Sequence, residues 1–158
     1  MAFNGSFLWV TANSADQTAY AGTDRLKRVN NVLCLSFPMT YVAKGGYTCN
    51  PNQREEIKAY RDENTRNLTR VTATGHKTSI KLKMLGGLNN AQRKEIRDWF
   101  LSHETNANQR KINLWYYDTD TEGYGSGSFY RANIEFTALY VTETDVIWDA
   151  FEIELVQY

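Results

Sequence analysis

Hydrophobic and polar positions alternate most regularly in the second half of the chain. In "HKTSIKLKM", Thr78, Ile80, Leu82 and Met84 interleave with Lys77, Ser79, Lys81 and Lys83. That is the period of two expected of a strand with one buried and one wet face. "RKINLWYYD" repeats the pattern, with Ile112, Leu114 and Tyr116 facing one way and Lys111, Asn113, Trp115 and Tyr117 the other. "SFYRANIEFTAL" carries it through Ile134, Phe136 and Ala138, and "WDAFEIELVQY" through Phe151, Ile153 and Leu155. Between the first two of these strands the period changes. In "GGLNNAQRKEIRDWFLSHE", Leu88, Ala91, Ile96, Trp99 and Phe100 share one helical face, and Asn89 or Asn90 can cap its start. One amphipathic helix is expected near 90–102.

The first half is less periodic. "FLWV" (7–10) and "NVLCLSF" (31–37) have strand content, with a polar loop over 11–31 between them. "AKGGYTCNPNQ" (43–53), with paired glycines and Pro51, reads as a long loop. "EEIKAYRDENTRNLTRV" has two readings: Asn50 and Pro51 could open a short helix, but Ile57, Ala59 and Tyr60 form no stripe.

Composition strengthens the β reading. Ten Tyr, seven Phe and four Trp with only two Pro suit half-buried pleated surfaces. The expected fold is mainly β, a β-sandwich or barrel-like arrangement of antiparallel sheets, with the one helix. A chain of 158 residues is about one domain, so 1–158 is taken as a single unit.

Charge narrows the partners. Eighteen basic and eighteen acidic residues leave no net field to hold a polyanion, so neither nucleic-acid sequence recognition nor membrane binding is expected. "RKINLWYY" could stack single-stranded bases, but the adjacent "DTDTE" opposes it. No run approaches the roughly 18 apolar residues of a membrane span. Cys34 and Cys49 belong to no metal or redox motif and read as ordinary thiols. With no leader-like N-terminus, the sequons at Asn4 and Asn67 read as chance matches.

The stretch "YYDTDTEGYGSGSFY" (116–130) offers the clearest chemical motif, because Asp118, Asp120, Glu122 and Gly123 fall where a calcium loop begins. The twelfth position is Phe129, which supplies no carboxylate, and strands rather than helices flank the loop. A hairpin with a polar turn, returning from about Gly127, is the better expectation. His76 and His103 lie near no Ser or Cys motif and read as structural or capping residues. Glu152 and Glu154 share the wet face of the last strand, and "GYGSGS" lacks the helix that a phosphate loop requires. No catalytic, metal or cofactor-binding residue is therefore assigned.

The tracts Lys77, Ile80, Leu82; Leu88, Asn89, Ile96; Leu114, Tyr116, Tyr117, Asp118; Ser126, Gly127, Phe129, Tyr130; and Trp148, Phe151, Ile153, Leu155 form a recognisable series. The series resembles a family of small proteins of unknown function encoded among the tail genes of siphophage-like phages and prophages. "YYD" and "SGSFY" are its most specific parts, and "KTSIKL" departs from the family's wording. The resemblance spans about 54–158 and leaves 1–50 as an N-terminal arm or additional strands. It implies a tail-tube-like architecture, also shared by tail-tip and baseplate proteins: two packed antiparallel sheets with a helix inserted between strands. It favours a hairpin turning near Asn64 over the helix. By the same resemblance the protein is a non-enzymatic virion component, made in the host bacterial cytoplasm. It would meet other tail proteins and further copies of itself in a ring, through loops 11–31, 43–53 and 118–126. Tyr47, Asn50, Glu122 and Tyr124 are the candidate assembly contacts in two of these loops. The competing reading is a β-sandwich module that binds a ligand such as carbohydrate on Trp115, Tyr117 or Tyr124.

Overall fold

A computed structural model describes residues 3–53, 56–72 and 77–158. In chain order its elements are β1 (Leu8–Thr11), α1 (Ser14–Ala19), β2 (Leu26–Val29), β3 (Val32–Ser36) and a single 3-10 turn at Met39–Tyr41. β4 (Val42–Gln53), β5 (Glu56–Arg61), β6 (Leu68–Thr72), β7 (Lys77–Met84) and α2 (Asn90–Leu101) follow. The chain continues through β8 (Glu104–Asn106), β9 (Lys111–Asp118), β10 (Gly123–Arg131), β11 (Ala138–Val141), β12 (Val146–Trp148) and β13 (Glu152–Gln157).

The fold is mainly β, a curled antiparallel half-barrel with few helices. Its main sheet runs β2-β3-β1-β9-β10-β13-β7-β4, with β8 paired to the far end of β9. Alternation sets the faces. Thr78, Ile80, Leu82 and Met84 of β7 are buried, as are Ile112, Leu114 and Tyr116 of β9 and Ile153 and Leu155 of β13. α2 covers this face through Ile96, Trp99 and Phe100. The indole Nε1 of Trp99 donates to the Ser36 carbonyl at 3.0 Å, and its ring meets Phe37 edge-on at 5.1 Å. Asn89 caps the helix: its side chain accepts from the Gln92 N–H while the Gln92 side chain accepts from the Asn89 N–H. Ala91, expected on the buried face, is exposed in the first turn.

Several expectations from the first half need correction. Residues 43–53 are not a loop; they lie in β4, an edge strand paired with β7 through two shifts of register. The paired glycines serve the first shift. A Cβ at Gly46 would sit 2.6 Å from the Lys83 carbonyl oxygen, so the position admits no side chain. Pro51 falls in the second shift, where an edge strand tolerates it. Nor is 11–31 an open loop. Asn13 and Asp16 form a capping box that starts α1, and β2 and β3 make a hairpin turning on Asn30 and Asn31, with φ of 48° and 68°. Positive φ at both central residues is the two-residue turn that matches strand twist. β1, β2 and β3 thus belong to the main sheet, and Leu8, Trp9 and Val10 to its buried core.

In the ambiguous stretch, β5 and β6 pair antiparallel, so the hairpin describes it and the helix does not. The Asp62 carboxylate accepts from the Asn64 and Thr65 N–H groups, both at 2.8 Å, and closes the turn. These bonds hold the exposed Asp62 carboxyl below the usual carboxylate range. The strand expected through Ile134, Phe136 and Ala138 ends at Arg131. Residues 132–137 keep alternating exposure outside any ladder, although the Ala132 N–H donates to the Glu154 carbonyl of β13, and β11 then joins β12 in a separate two-stranded sheet.

Candidate functional site

The sheet curls far enough that its β4 edge reaches the end of β9. Tyr47 Oη donates to the Tyr117 carbonyl at 2.7 Å, and Thr119 Oγ1 donates to the Cys49 carbonyl at 3.4 Å. Phe7 stacks on Tyr47 at 4.2 Å with rings 6° from parallel, and Phe3 and Phe7 both touch Tyr117 edge-on. Burial pushes the Tyr47 hydroxyl far above the ordinary phenol range, so it acts as a neutral donor. Two segments expected to be separate contact loops, 43–53 and 118–126, therefore meet within one chain.

The turn between β9 and β10 is tighter than its sequence indicates. The return strand begins at Gly123, paired with Asp118, rather than near Gly127. Asp118 is buried and its Oδ1 accepts from the Asp120 and Thr121 N–H groups at 2.8 and 3.4 Å. The carboxylate that would have opened a calcium loop instead closes the turn, and Phe129 is fully buried. Glu122, at φ 53°, is exposed at the tip. Tyr124 lies within β10 rather than at the tip. Its hydroxyl donates to the Ser6 carbonyl at 2.7 Å and accepts from the Asn4 N–H at 3.1 Å. Asn50 is exposed on β4. Of the four candidate contacts, Asn50 and Glu122 thus face solvent, while Tyr47 and Tyr124 are half-buried and hold the protein's own segments together.

The aromatics considered as a ligand platform are likewise occupied. Trp115 and Tyr124 pack beside Trp9, Val29 and Cys34 in a second, smaller core on the outer face of the sheet. Tyr117 meets Tyr124 edge-on at 5.6 Å.

Titratable groups show the same commitment to structure. His103 Nε2 lies 2.6 Å from Asp16 Oδ2, and its Nδ1 lies 2.7 Å from the Trp99 carbonyl oxygen. The ring thus joins the start of α1 to the end of α2, and the same Asp16 oxygen also accepts from the Asn13 N–H. A cleft of about 390 Å³ beside this clasp is lined by Tyr20, Arg25, Lys94, Glu95, Asp98 and Ser102, and the Ser102 hydroxyl donates to the Asp98 carbonyl. His76 lies outside the described residues. Cys34 and Cys49 are free and buried, and burial pushes the Cys34 thiol up to about 11. Among the described residues no group of three or more His, Cys, Asp or Glu side chains could hold a metal ion. Nor does any described helix have the length and apolarity to cross a membrane.

Sequence reasoning gave no weight to β11 and β12. Leu139, Tyr140 and Val141 are 53%, 55% and 70% exposed, three consecutive apolar side chains on one short strand. The hairpin is anchored through Trp148, whose indole donates to Asn90 Oδ1 at 2.7 Å and whose backbone pairs with Leu88. The signal was present in "TALYVTE", which has apolar neighbours on both faces of a strand and no periodic burial.

A model described as a family of unknown function (DUF6711) matches residues 26–158. The chain belongs to that family. The DUF6711 match begins at β2, so it takes in strands that the resemblance, starting near residue 54, had left out. No curated protein matches the chain. Among solved structures, a chain from the tail of an empty GTA particle with C6 symmetry is similar at 10% identity and a TM-score of 0.46. The likeness covers 99% of this DUF6711 chain and 95% of that one, and at this level it fixes no role.

Proposed function

We propose that this DUF6711 protein is a structural component of a bacteriophage-type tail that works by protein–protein assembly. The observation that carries the reading is the uncovered apolar strand Leu139–Val141, fixed to the helix by Trp148 yet facing solvent. Large apolar side chains grouped in this way mark a surface that another chain covers. Two further features support it. Among the described residues β2 and β4 end the main sheet, and β2 has no strand paired on its outer side. His103 and Asp16 are spent on a clasp between helices, and Asp118 on its own turn. The tail context rests on the signature around "YYD" and "SGSFY".

In the finer form of the proposal the protein is a ring component of the tail tube, tail tip or baseplate, with copies meeting head to tail around the axis. A heterologous contact of that kind closes when its rotation allows. Asn50 and Glu122 remain candidate contacts in such a ring. Sedimentation velocity or mass photometry tests this directly. A ring-sized species that Tyr140→Asp and Val141→Asp dissociate, or copurification with tail particles, supports the proposal. A strict monomer that neither joins tail particles nor changes on these substitutions, but binds glycans, overturns it in favour of the ligand-binding module.

A further inference from the structure

β11 is exposed along its whole length, and Tyr140 and Val141, neighbours that point to opposite faces, are both more than half exposed. Its inner edge pairs with β12, which is tied to Leu88, and among the described residues no strand pairs with its outer edge. The Thr142 N–H donates to the Asp145 carbonyl across the β11–β12 turn, so Val141, one residue earlier, turns its own backbone groups outward. A two-stranded hairpin is marginal in water by itself, and a strand apolar on both faces suits a place covered on both sides.

The main sheet offers such a place beyond β2. Leu26 packs on the main core, and Val29 is fully buried in the smaller core on the opposite face. The Ser36 N–H donates to the Arg25 carbonyl, which sets the parity of the β2–β3 ladder and points the Arg28 N–H and C=O to the free edge. β4, at the other end of the sheet, already accepts from Thr119 through the Cys49 carbonyl.

Charge matches the two edges. Residues 24–29 hold Arg25, Lys27 and Arg28 against the single acid Asp24, and the turn at 142–145 holds Glu143 and Asp145 with no base. Arg25 lies 3.7 Å from Glu95, Lys27 donates to the Asn4 carbonyl, and Asp145 accepts from the Asn90 and Val146 N–H groups. The exposed pair left to meet is Arg28 and Glu143. One chain cannot join these edges itself, because α2 stands between them, with Glu95 turned to Arg25 beside β2 and Arg93 turned to Trp148 of β12.

We propose that β11 of one copy adds to the β2 edge of a second copy, antiparallel, with Val141 opposite Arg28. The inference rests on the assembly reading above and names the partner of its uncovered strand. In this register Tyr140 lies opposite Val29 and extends the smaller core. Glu143 falls diagonal to Arg28, within reach of long side chains. A parallel pairing would carry Glu143 past Asn30, away from the basic residues, so charge selects the antiparallel one. The two edges are different surfaces, so the contact is heterologous and repeats from copy to copy.

Sedimentation velocity of the full-length protein over a concentration series reads the contact. Arg28→Glu and Glu143→Arg should each weaken association about fivefold, and the two together should restore it. The register has its own test. Mild oxidation of an Arg28→Cys and Val141→Cys mixture should form an intermolecular disulfide faster than either variant alone, against a background in which Cys34 and Cys49 are buried. Association that Tyr140→Asp abolishes and Arg28→Glu leaves unchanged would overturn β2 as the partner while leaving assembly through β11 in place. A protein that stays monomeric up to millimolar concentration would overturn pairing between copies, and copurification with tail particles then decides the assembly reading separately.

Discussion

Gly125→Ala probes the signature stretch through its packing. A Cβ at position 125 would lie 2.9 Å from both Cζ and Oη of Tyr116, closer than any relaxed carbon contact. The backbone itself permits alanine, because Gly125 is not among the positive-φ residues. Tyr116 has little room to yield: it is buried, its ring meets Phe129 edge-on at 5.5 Å, and its hydroxyl lies 3.5 Å from Thr78 Oγ1. Overpacking of this kind costs about 1–3 kcal/mol. Restricting the unfolded chain by replacing glycine offsets about 0.4–1 kcal/mol. The net expectation is a loss of about 1.3 kcal/mol, within bounds of about 0 and 2.6 kcal/mol, or a fall of a few degrees in the thermal midpoint for a chain of this size. Urea unfolding followed by circular dichroism measures it. Tyr116→Phe removes one of the two close atoms, so the cost of Gly125→Ala should shrink in that background. A Gly125→Ala protein as stable as the parent, or a cost unchanged by Tyr116→Phe, would refute the packing account.

Asp118→Ala should destabilise by about 1–3 kcal/mol by leaving the Asp120 and Thr121 N–H groups unpaired, whereas Asp118→Asn, which keeps an acceptor, should cost less. Millimolar calcium should leave the thermal midpoint of either protein where it was, as differential scanning fluorimetry would show. His103→Ala should release α1 from α2, read as faster amide hydrogen exchange across residues 14–19 with the β9–β10 hairpin unaffected. Burial raises the Cys34 thiol to about 11, so its folded form keeps a proton that the unfolded form loses near pH 8.5. The unfolded chain then binds fewer protons, and stability should fall as pH rises from about 8.5 towards 11, a slope that Cys34→Ala reduces and to which the likewise raised Cys49 thiol adds. Iodoacetamide labelling at pH 8 should be slow in the native protein and fast in urea.

Legibility in the sequence followed burial asymmetry. β7, β9 and β13 each bury one face only, so alternation announced them, and α2 announced itself through a single apolar stripe and an Asn89 cap. β4 was hidden because its glycines and proline, the usual marks of a loop, here serve register shifts on an edge strand. α1 and the β2–β3 hairpin carried short-range signals that polarity masked: an Asn13 to Asp16 capping box and the Asn30-Asn31 turn. The 132–137 segment erred in the other direction. Its alternation comes from lying against α2 and the approach to β13, where Phe136 meets Phe151 at 5.0 Å, and not from pairing in a ladder.

The candidate surfaces were less legible for a related reason. Residue type alone does not say whether an aromatic or charged side chain is spent inside the chain. Tyr47 and Tyr124 were expected as contacts because 43–53 and 118–126 read as loops, yet each hydroxyl closes a bond to a carbonyl 70 or more residues away. Arg131 carries no signal in the sequence, and the strand register places it on the core side. In both cases the deciding fact is long-range pairing, which fixes faces only after β9, β10 and β13 are aligned. With that alignment, the Leu139–Val141 strand stands out as three consecutive exposed apolar residues, and Arg93 stacked on Trp148 borders it. An apolar patch bordered by arginine and aromatic groups has the composition of a binding centre rather than a solvated rim. If the tail reading holds, the contact that builds the particle should therefore map to the α2–β12 side of the molecule before it maps to the turn at Glu122.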